Sequence, residues 1–221
     1  MSDLNFFTNL QVYPPDPILG LKTLHNEDPS PNKVDLAVGA YRNDDAKPMP
    51  LPSVLEAEQR VKNDPNYNFE YLPIDGIPAF KRLTRQLLFG KECELLKEGR
   101  VATAQALGGT GALRLGFELL RIGSNLSNES ETKLVVYCSE PTWPNHQKVA
   151  HDGTRGNVEI RTYRYYDKEK KCFDFEGMLE DLNAAPKNSI ILLHLCAHNP
   201  TGYDPSTEEW RKIVNSMKAN Q

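Results

Sequence analysis

The sequence predicts an α/β fold, a mostly parallel open sheet flanked by helices, on three observations. Short apolar runs at residues 101–106, 133–139 and 189–195 are bounded by turn residues. Segments with apolar residues at helical spacing lie between them, above all residues 110–122. The chain has 221 residues, 39% of them hydrophobic, enough to bury a sizeable core. Strands separated by helical segments imply parallel crossovers, and functional loops then gather at the carboxyl ends of the strands.

Residues 1–13 read as an arm, because Tyr13-Pro14-Pro15-Asp16-Pro17 forces an extended path and the sequence stays proline-rich and polar through Pro29. The run Val34-Asp35-Leu36-Ala37-Val38 predicts a strand turning into a loop at Gly39. Pro48, Pro50 and Pro52 mark a boundary, which separates residues 14–48 from a larger domain over 49–221. A helix follows these prolines, with Val54, Leu55 and Val61 on one side. A second spans residues 78–89, where Phe80, Leu83 and Leu87 recur and Gly90 supplies the stop. The last helix opens with the capping box Ser206-Thr207-Glu208-Glu209 and carries Trp210, Ile213, Val214 and Met217 on one face. Lys168-Glu169-Lys170-Lys171 reads as a solvated hairpin or loop.

A formal net charge of -4 and a pI near 5.8 give no basic field, which argues against nucleic acid or an anionic membrane surface as partner. No run approaches the roughly 20 apolar residues of a membrane helix. Cys93, Cys138, Cys172 and Cys196 lack any metal-site or disulfide spacing and are read as free thiols. The first residues have neither a basic-then-apolar pattern nor an arginine-rich amphipathic one, so a cytoplasmic protein is expected. Two sequons begin at Asn125 and Asn128, which matter only in a secreted protein.

Three loops carry candidate chemistry. Leu107-Gly108-Gly109-Thr110-Gly111-Ala112-Leu113-Arg114 lies between a predicted strand and a predicted helix. Small residues there let backbone N–H groups of a helix N-terminus approach an anion; read alone, the glycines also suit a tight turn. The spacing is neither the dinucleotide G-x-G-x-x-G nor a P-loop. Glu140-Pro141-Thr142-Trp143-Pro144-Asn145-His146 follows the run at 133–139. Trp143 at such a strand end suits stacking on a flat ring, or simply a core position, and His146 can join a hydrogen-bond network beneath it. His194-Leu195-Cys196-Ala197-His198-Asn199-Pro200-Thr201-Gly202 follows the run at 189–195, and there Asn199 can address a ring hydroxyl; read alone, Asn-Pro-Thr-Gly is usually only a turn. His194 and His198 have an i, i+4 spacing that would hold a metal on a helix, but they fall on a strand and loop with no third ligand.

With Val38-Gly39-Ala40-Tyr41-Arg42-Asn43-Asp44-Asp45 and Phe69-Glu70-Tyr71-Leu72-Pro73-Ile74, these loops run in the order of the class I aminotransferases of the aspartate type, which the chain resembles over nearly its whole length. The resemblance implies the type I fold of pyridoxal-phosphate transferases, with 14–48 in a small domain and 49–221 as the first part of the cofactor-binding domain. It implies pyridoxal 5′-phosphate as cofactor, amino-acid and 2-oxo-acid substrates (aspartate and 2-oxoglutarate giving oxaloacetate and glutamate) and a homodimer. Gly108, Gly109 and Thr110 would bind the cofactor phosphate, Trp143 would stack on the pyridine ring and Asn199 would bond its 3′ oxygen. Gly39, with Trp143 and Asn199, would meet the substrate. Tyr71 would reach the phosphate of the neighbouring subunit, and His146 and His194 would support an aspartate at the pyridine nitrogen. Phe6 and Phe7 would anchor the arm on the partner subunit.

In that family the Schiff-base lysine, the aspartate under the ring and the carboxylate-binding arginines correspond to positions beyond Gln221. The expectation is therefore an aminotransferase by family whose 221 residues contain no catalytic lysine, leave a sheet edge and apolar face uncovered, and do not turn over alone. The alternative is a non-catalytic product acting as a binding module.

Overall fold

The computed structural model describes residues 7, 8, 10–12, 14, 16, 18–124 and 132–219. Phe6 and the sequons at Asn125 and Asn128 lie outside the described residues. The chain divides into two compact units, residues 1–71 and 72–221.

The first unit holds α1 (Leu19–Glu27) and α2 (Pro52–Lys62). Helix α1 falls in the stretch read as extended through Pro29. Asp16 explains it: its Oδ1 accepts the N–H groups of Ile18 and Leu19, both at 2.9 Å, and so starts the helix where prolines suggested none. Helix α2 forms as expected, with Pro52 in its first turn. The strand expected at 34–38 does not form. Asp35, in the middle of that run, accepts the Ala37 N–H (3.1 Å) and pairs with Lys22, a local bonding pattern that competes with a ladder.

The second unit opens with α3 (Pro78–Phe89), whose ends are those the sequence predicts, and the single turn α4 (Glu94–Lys97). Then come α5 (Gly108–Gly123), β1 (Leu134–Glu140), α6 (Asn145–Gly153), β2 (Val158–Arg164), the hairpin β3 (Tyr166–Asp167) and β4 (Cys172–Phe173), α7 (Phe175–Ala184), β5 (Ile190–Ile191) and α8 (Thr207–Ala219). Strands β2, β1 and β5 form a parallel sheet in that order, as expected for an α/β fold. The basic cluster at 168–171 is the connection of the β3–β4 hairpin.

Alternation along β1 divides the core in two. Leu134, Val136 and Cys138 pack with Phe117 of α5, Val149 and Ala150 of α6, and Val158. Tyr137 points to the opposite face, in a cluster with Tyr163, Tyr165, Met178 and Leu182 of α7, and Ile213 of α8. The layers are thus α5 and α6, the sheet, then α7 and α8. Full burial of a side chain such as Ile213, 0% exposed, contributes about 1.5–3 kcal/mol. Helix α8 begins with the foreseen capping box: Ser206 Oγ accepts the Glu209 N–H (3.3 Å) and Glu209 Oε2 accepts the Ser206 N–H (2.7 Å). Val214, expected on its apolar face, is instead 44% exposed.

Two of the expected strands differ. Residues 101–106 are in no ladder, and the Gln105 N–H donates to the Asp75 carbonyl (2.9 Å). Of 189–195 only Ile190 and Ile191 pair with β1, extended by the Leu192 N–H donating to the Tyr137 carbonyl (2.9 Å). An apolar run becomes a strand only beside a neighbour, and neither run has one on its remaining side among the described residues.

Candidate functional site

The first turn of α5 has no side-chain cap, so its backbone N–H groups lack the partners that Ser, Asp or Asn would provide. Gly108 enters the helix at φ +64, a conformation that disfavours any residue with a Cβ. A Cβ built on Gly108 or Gly109 would meet nothing within 4 Å, so the space beside these amides is open. Open amides at the positive end of a 16-residue helix dipole suit a phosphate or carboxylate. Thr110 sits in the same turn, and its Oγ1 accepts from Nδ2 of Asn145, the first residue of α6 (3.3 Å).

Strand β1 delivers the second group. Past its end, Thr142 and Trp143 precede α6, which carries His146 in its first turn. The ring of Trp143 stands edge-on to His146, centroids 5.3 Å apart at 88°. Thr142 Oγ1 lies 2.8 Å from His146 Nδ1. Burial pushes the His146 pKa down to about 4, and the neighbouring His194 adds to the effect, so this imidazole is neutral at physiological pH.

Chain beyond β5 delivers the third. The His194 ring lies 4.9 Å from that of His146 and stacks at 4.2 Å on His198. The Asn199 N–H donates to His194 Nδ1 (3.0 Å). Imidazole with an acceptor at Nδ1 carries its proton on Nε2, and Nε2 of His194 is buried with no hydrogen-bond partner among the described residues. A buried donor of this kind suits a site that awaits an acceptor, as the support of a ring-bound acid would.

Gly109, Leu113, Trp143, His146, Ile191 and Leu192 line one cavity of about 610 Å³. Of the residues singled out from the sequence, Gly109, Trp143 and His146 share it and Gly108 and Thr110 flank Gly109; His194 and Asn199 do not line it, but the Asn199 N–H meets His194, whose ring lies against that of His146. Gly39 and Tyr71 belong to the first unit, and both are exposed. The described residues contain no cluster of three or more His, Cys, Asp or Glu suited to a metal ion.

Sequence reasoning gave no role to Thr142 or Asp204 and weighed His198 only as a metal ligand. Thr142 holds His146. His198, 2% exposed, stacks on Tyr165 at 3.7 Å and lies within 2.9 Å of Thr201 Oγ1 and 2.8 Å of Ser139 Oγ. Asp204 accepts the N–H groups of Ala197 (2.7 Å) and His198 (3.0 Å). An acid shortly after Asn-Pro-Thr-Gly is the one signal that pointed to it.

Neutral imidazoles, an indole and open helix amides at the carboxyl edge of a parallel sheet set this chain among α/β proteins whose strand-end loops form the site. The particular family follows from comparison: the profile described as Aminotransferase class I and II matches residues 31–221, and the chain belongs to that family, whose members use pyridoxal phosphate. A cytoplasmic aspartate aminotransferase of Oryza sativa subsp. japonica is 44% identical over 219 residues, covering 99% of this chain and 51% of that protein. A chloroplastic aspartate aminotransferase of Arabidopsis thaliana is 42% identical over 213 residues, 96% of this chain and 45% of its own length. Among solved structures, the aromatic-amino-acid aminotransferase of Burkholderia pseudomallei, covalently bound to pyridoxal phosphate, superposes with a TM-score of 0.87 at 39% identity, covering 98% of this chain and 52% of its own. The chain spans about half the length of the curated relatives it matches.

Proposed function

We propose that these residues supply the phosphate-holding and ring-stacking part of a pyridoxal 5′-phosphate site for transamination between L-aspartate and 2-oxoglutarate. The observation that carries the reading is the shared cavity of Gly109, Trp143 and His146, with the uncapped α5 N-terminus at one end. When bound, the cofactor supplies an electron sink for negative charge developing at the substrate α-carbon. The amides of Gly108, Gly109 and Thr110 bind its phosphate, Trp143 covers a ring face, and the Asn199 side chain donates to the ring oxygen. His146 and His194, neutral through burial, orient an acid at the ring nitrogen without placing a competing positive charge there. The Gly39 backbone meets a substrate carboxylate, and Tyr71 reaches a neighbouring subunit's phosphate in a homodimer. Residues 14–48 belong to a small domain and 49–221 to the cofactor domain.

Aspartate as substrate rests on the relatives' names, and so does a cytoplasmic location, although a chloroplastic relative is 42% identical against 44% for the cytoplasmic one. The described helices include none long and apolar enough to cross a membrane. The lysine that attaches the cofactor lies, on this reading, outside the 221 residues, so the chain by itself binds without turnover.

The test uses Trp210→Phe, which leaves Trp143 as the only tryptophan. Pyridoxamine 5′-phosphate should quench its fluorescence saturably. Borohydride treatment with pyridoxal phosphate should fix no single lysine stoichiometrically. Absence of quenching at millimolar ligand contradicts the binding site; a single fixed lysine contradicts the assignment of that residue elsewhere.

A further inference from the structure

Three consecutive backbone N–H groups in the loop after β5 are each taken by a side chain. Those of Ala197 and His198 donate to the two oxygens of one carboxylate, Asp204 Oδ2 (2.7 Å) and Oδ1 (3.0 Å). That of Asn199 donates to His194 Nδ1 (3.0 Å). Ala197 has φ +51, an unusual conformation for a residue with a Cβ. Successive amides turned the same way through such a residue form a concavity that binds anions, here filled by the chain's own acid. Three further contacts close the loop: the Gly202 N–H donates to the His198 carbonyl (2.8 Å), and the His198 ring is held between Ser139 and Thr201.

We propose that Asp204 is a positioning residue of the candidate site: by holding the amides of Ala197 and His198 it aims the Asn199 N–H at His194 Nδ1, and so keeps the His194 proton on Nε2. The assignment rests on the site reading above for its functional meaning, but not for its physics. A neutral imidazole in water divides its proton between both nitrogens, and the bond made at one nitrogen decides the other. Without the Asn199 amide at Nδ1, the buried Nε2–H of His194 has no reason to persist, because a buried donor without a partner is costly. Asp204 thus acts at one remove, and it also fixes the backbone from which the Asn199 side chain projects.

The carboxylate is the right group for this. An amide in its place, Asp204→Asn, keeps one acceptor oxygen but turns an NH2 donor toward the second backbone N–H. Asp204→Ala removes both acceptors.

Long-range ¹H–¹⁵N correlation of the histidine side chains in the 221-residue chain reads the tautomer without any cofactor. The wild type should carry the His194 proton on Nε2 alone. Asp204→Ala should give mixed tautomers at His194 and speed amide exchange at Asn199 by roughly tenfold, at a urea midpoint close to that of Ser206→Ala, which perturbs the neighbouring cap only. If Asp204→Ala does not fold, Asp204→Asn should show the same tautomer change in weaker form. A variant that folds and retains pure Nε2–H with unchanged Asn199 exchange overturns the proposal. A shifted tautomer together with no pyridoxamine 5′-phosphate binding in the wild type supports the Asp204 assignment and overturns the cofactor reading instead.

Discussion

Gly153 closes α6 where it crosses α5, and its replacement by alanine should both destabilise the unit and loosen the site. A Cβ built there would lie 2.6 Å from Phe117 Cβ, with Arg114 Cδ and the Arg114 carbonyl at 3.5 Å. The nearest atom is a Cβ fixed to the α5 backbone, in a residue only 3% exposed, so no side-chain rotation relieves the clash. The helices themselves must separate by about 0.8 Å, the difference between 2.6 Å and ordinary contact at 3.4 Å. Overpacking of a dense core costs about 1–3 kcal/mol. At a urea slope of about 2 kcal/mol per molar, the midpoint should fall by roughly 0.5–1.5 M. Tryptophan fluorescence is the appropriate probe, since Trp143 and Trp210 both lie in the second unit. Because α5 carries Gly109 and α6 carries His146, the same separation widens the cavity between them, and affinity for pyridoxamine 5′-phosphate should drop by about tenfold or more. A midpoint within 0.2 M of the wild type, or lost stability with unchanged affinity, refutes the view that this helix crossing sets the site's geometry.

Three further outcomes follow from local geometry. Ser206→Ala should cost about 1 kcal/mol through loss of the reciprocal cap at α8, read as a urea midpoint shift; no shift means the cap is not formed in solution. Cys138, 0% exposed and with its thiol pushed up to about 11 by burial, should resist alkylation at pH 8 in the folded chain while exposed Cys196 reacts, and peptide mass mapping decides it. His146 and His198 are both held down to about 4 by burial, so the unfolded chain binds protons that the native one refuses. Their contribution to stability is present above pH 6.5 and declines as pH falls toward 4; a urea midpoint flat between pH 7 and 5 contradicts their neutral burial.

What the sequence made legible was what a short segment decides by itself. Pro78 and Gly90 bracket α3, Ser206 with Glu209 starts α8, and the glycines at 108 and 109 open α5, each through interactions a few residues apart. The same locality misled at 34–38 and 101–106, because a strand is a property of two segments and neither run has a ladder partner among the described residues. Helix α1 was hidden by the prolines before it, although Asp16, two residues upstream of Ile18, accepts the first N–H groups at its start. The site divides similarly. Residues that would touch a ligand, such as Gly109, Trp143 and Asn199, stand in recognisable loops. Those that hold them do so through contacts invisible to spacing, such as Ser139 meeting His198 across 59 positions.

On the proposed function, the α5 N-terminus and Trp143 grip opposite ends of one ligand. Amide and indole chemical shifts of the labelled 221-residue chain, followed during titration with pyridoxamine 5′-phosphate, pyridoxamine and inorganic phosphate, test it most directly. Inorganic phosphate should move the amides of Gly108, Gly109 and Thr110 alone, while pyridoxamine 5′-phosphate should move those amides and the Trp143 indole together at a single affinity. Shifts at the indole without the amides, or equal binding of pyridoxamine with and without its phosphate, would contradict it.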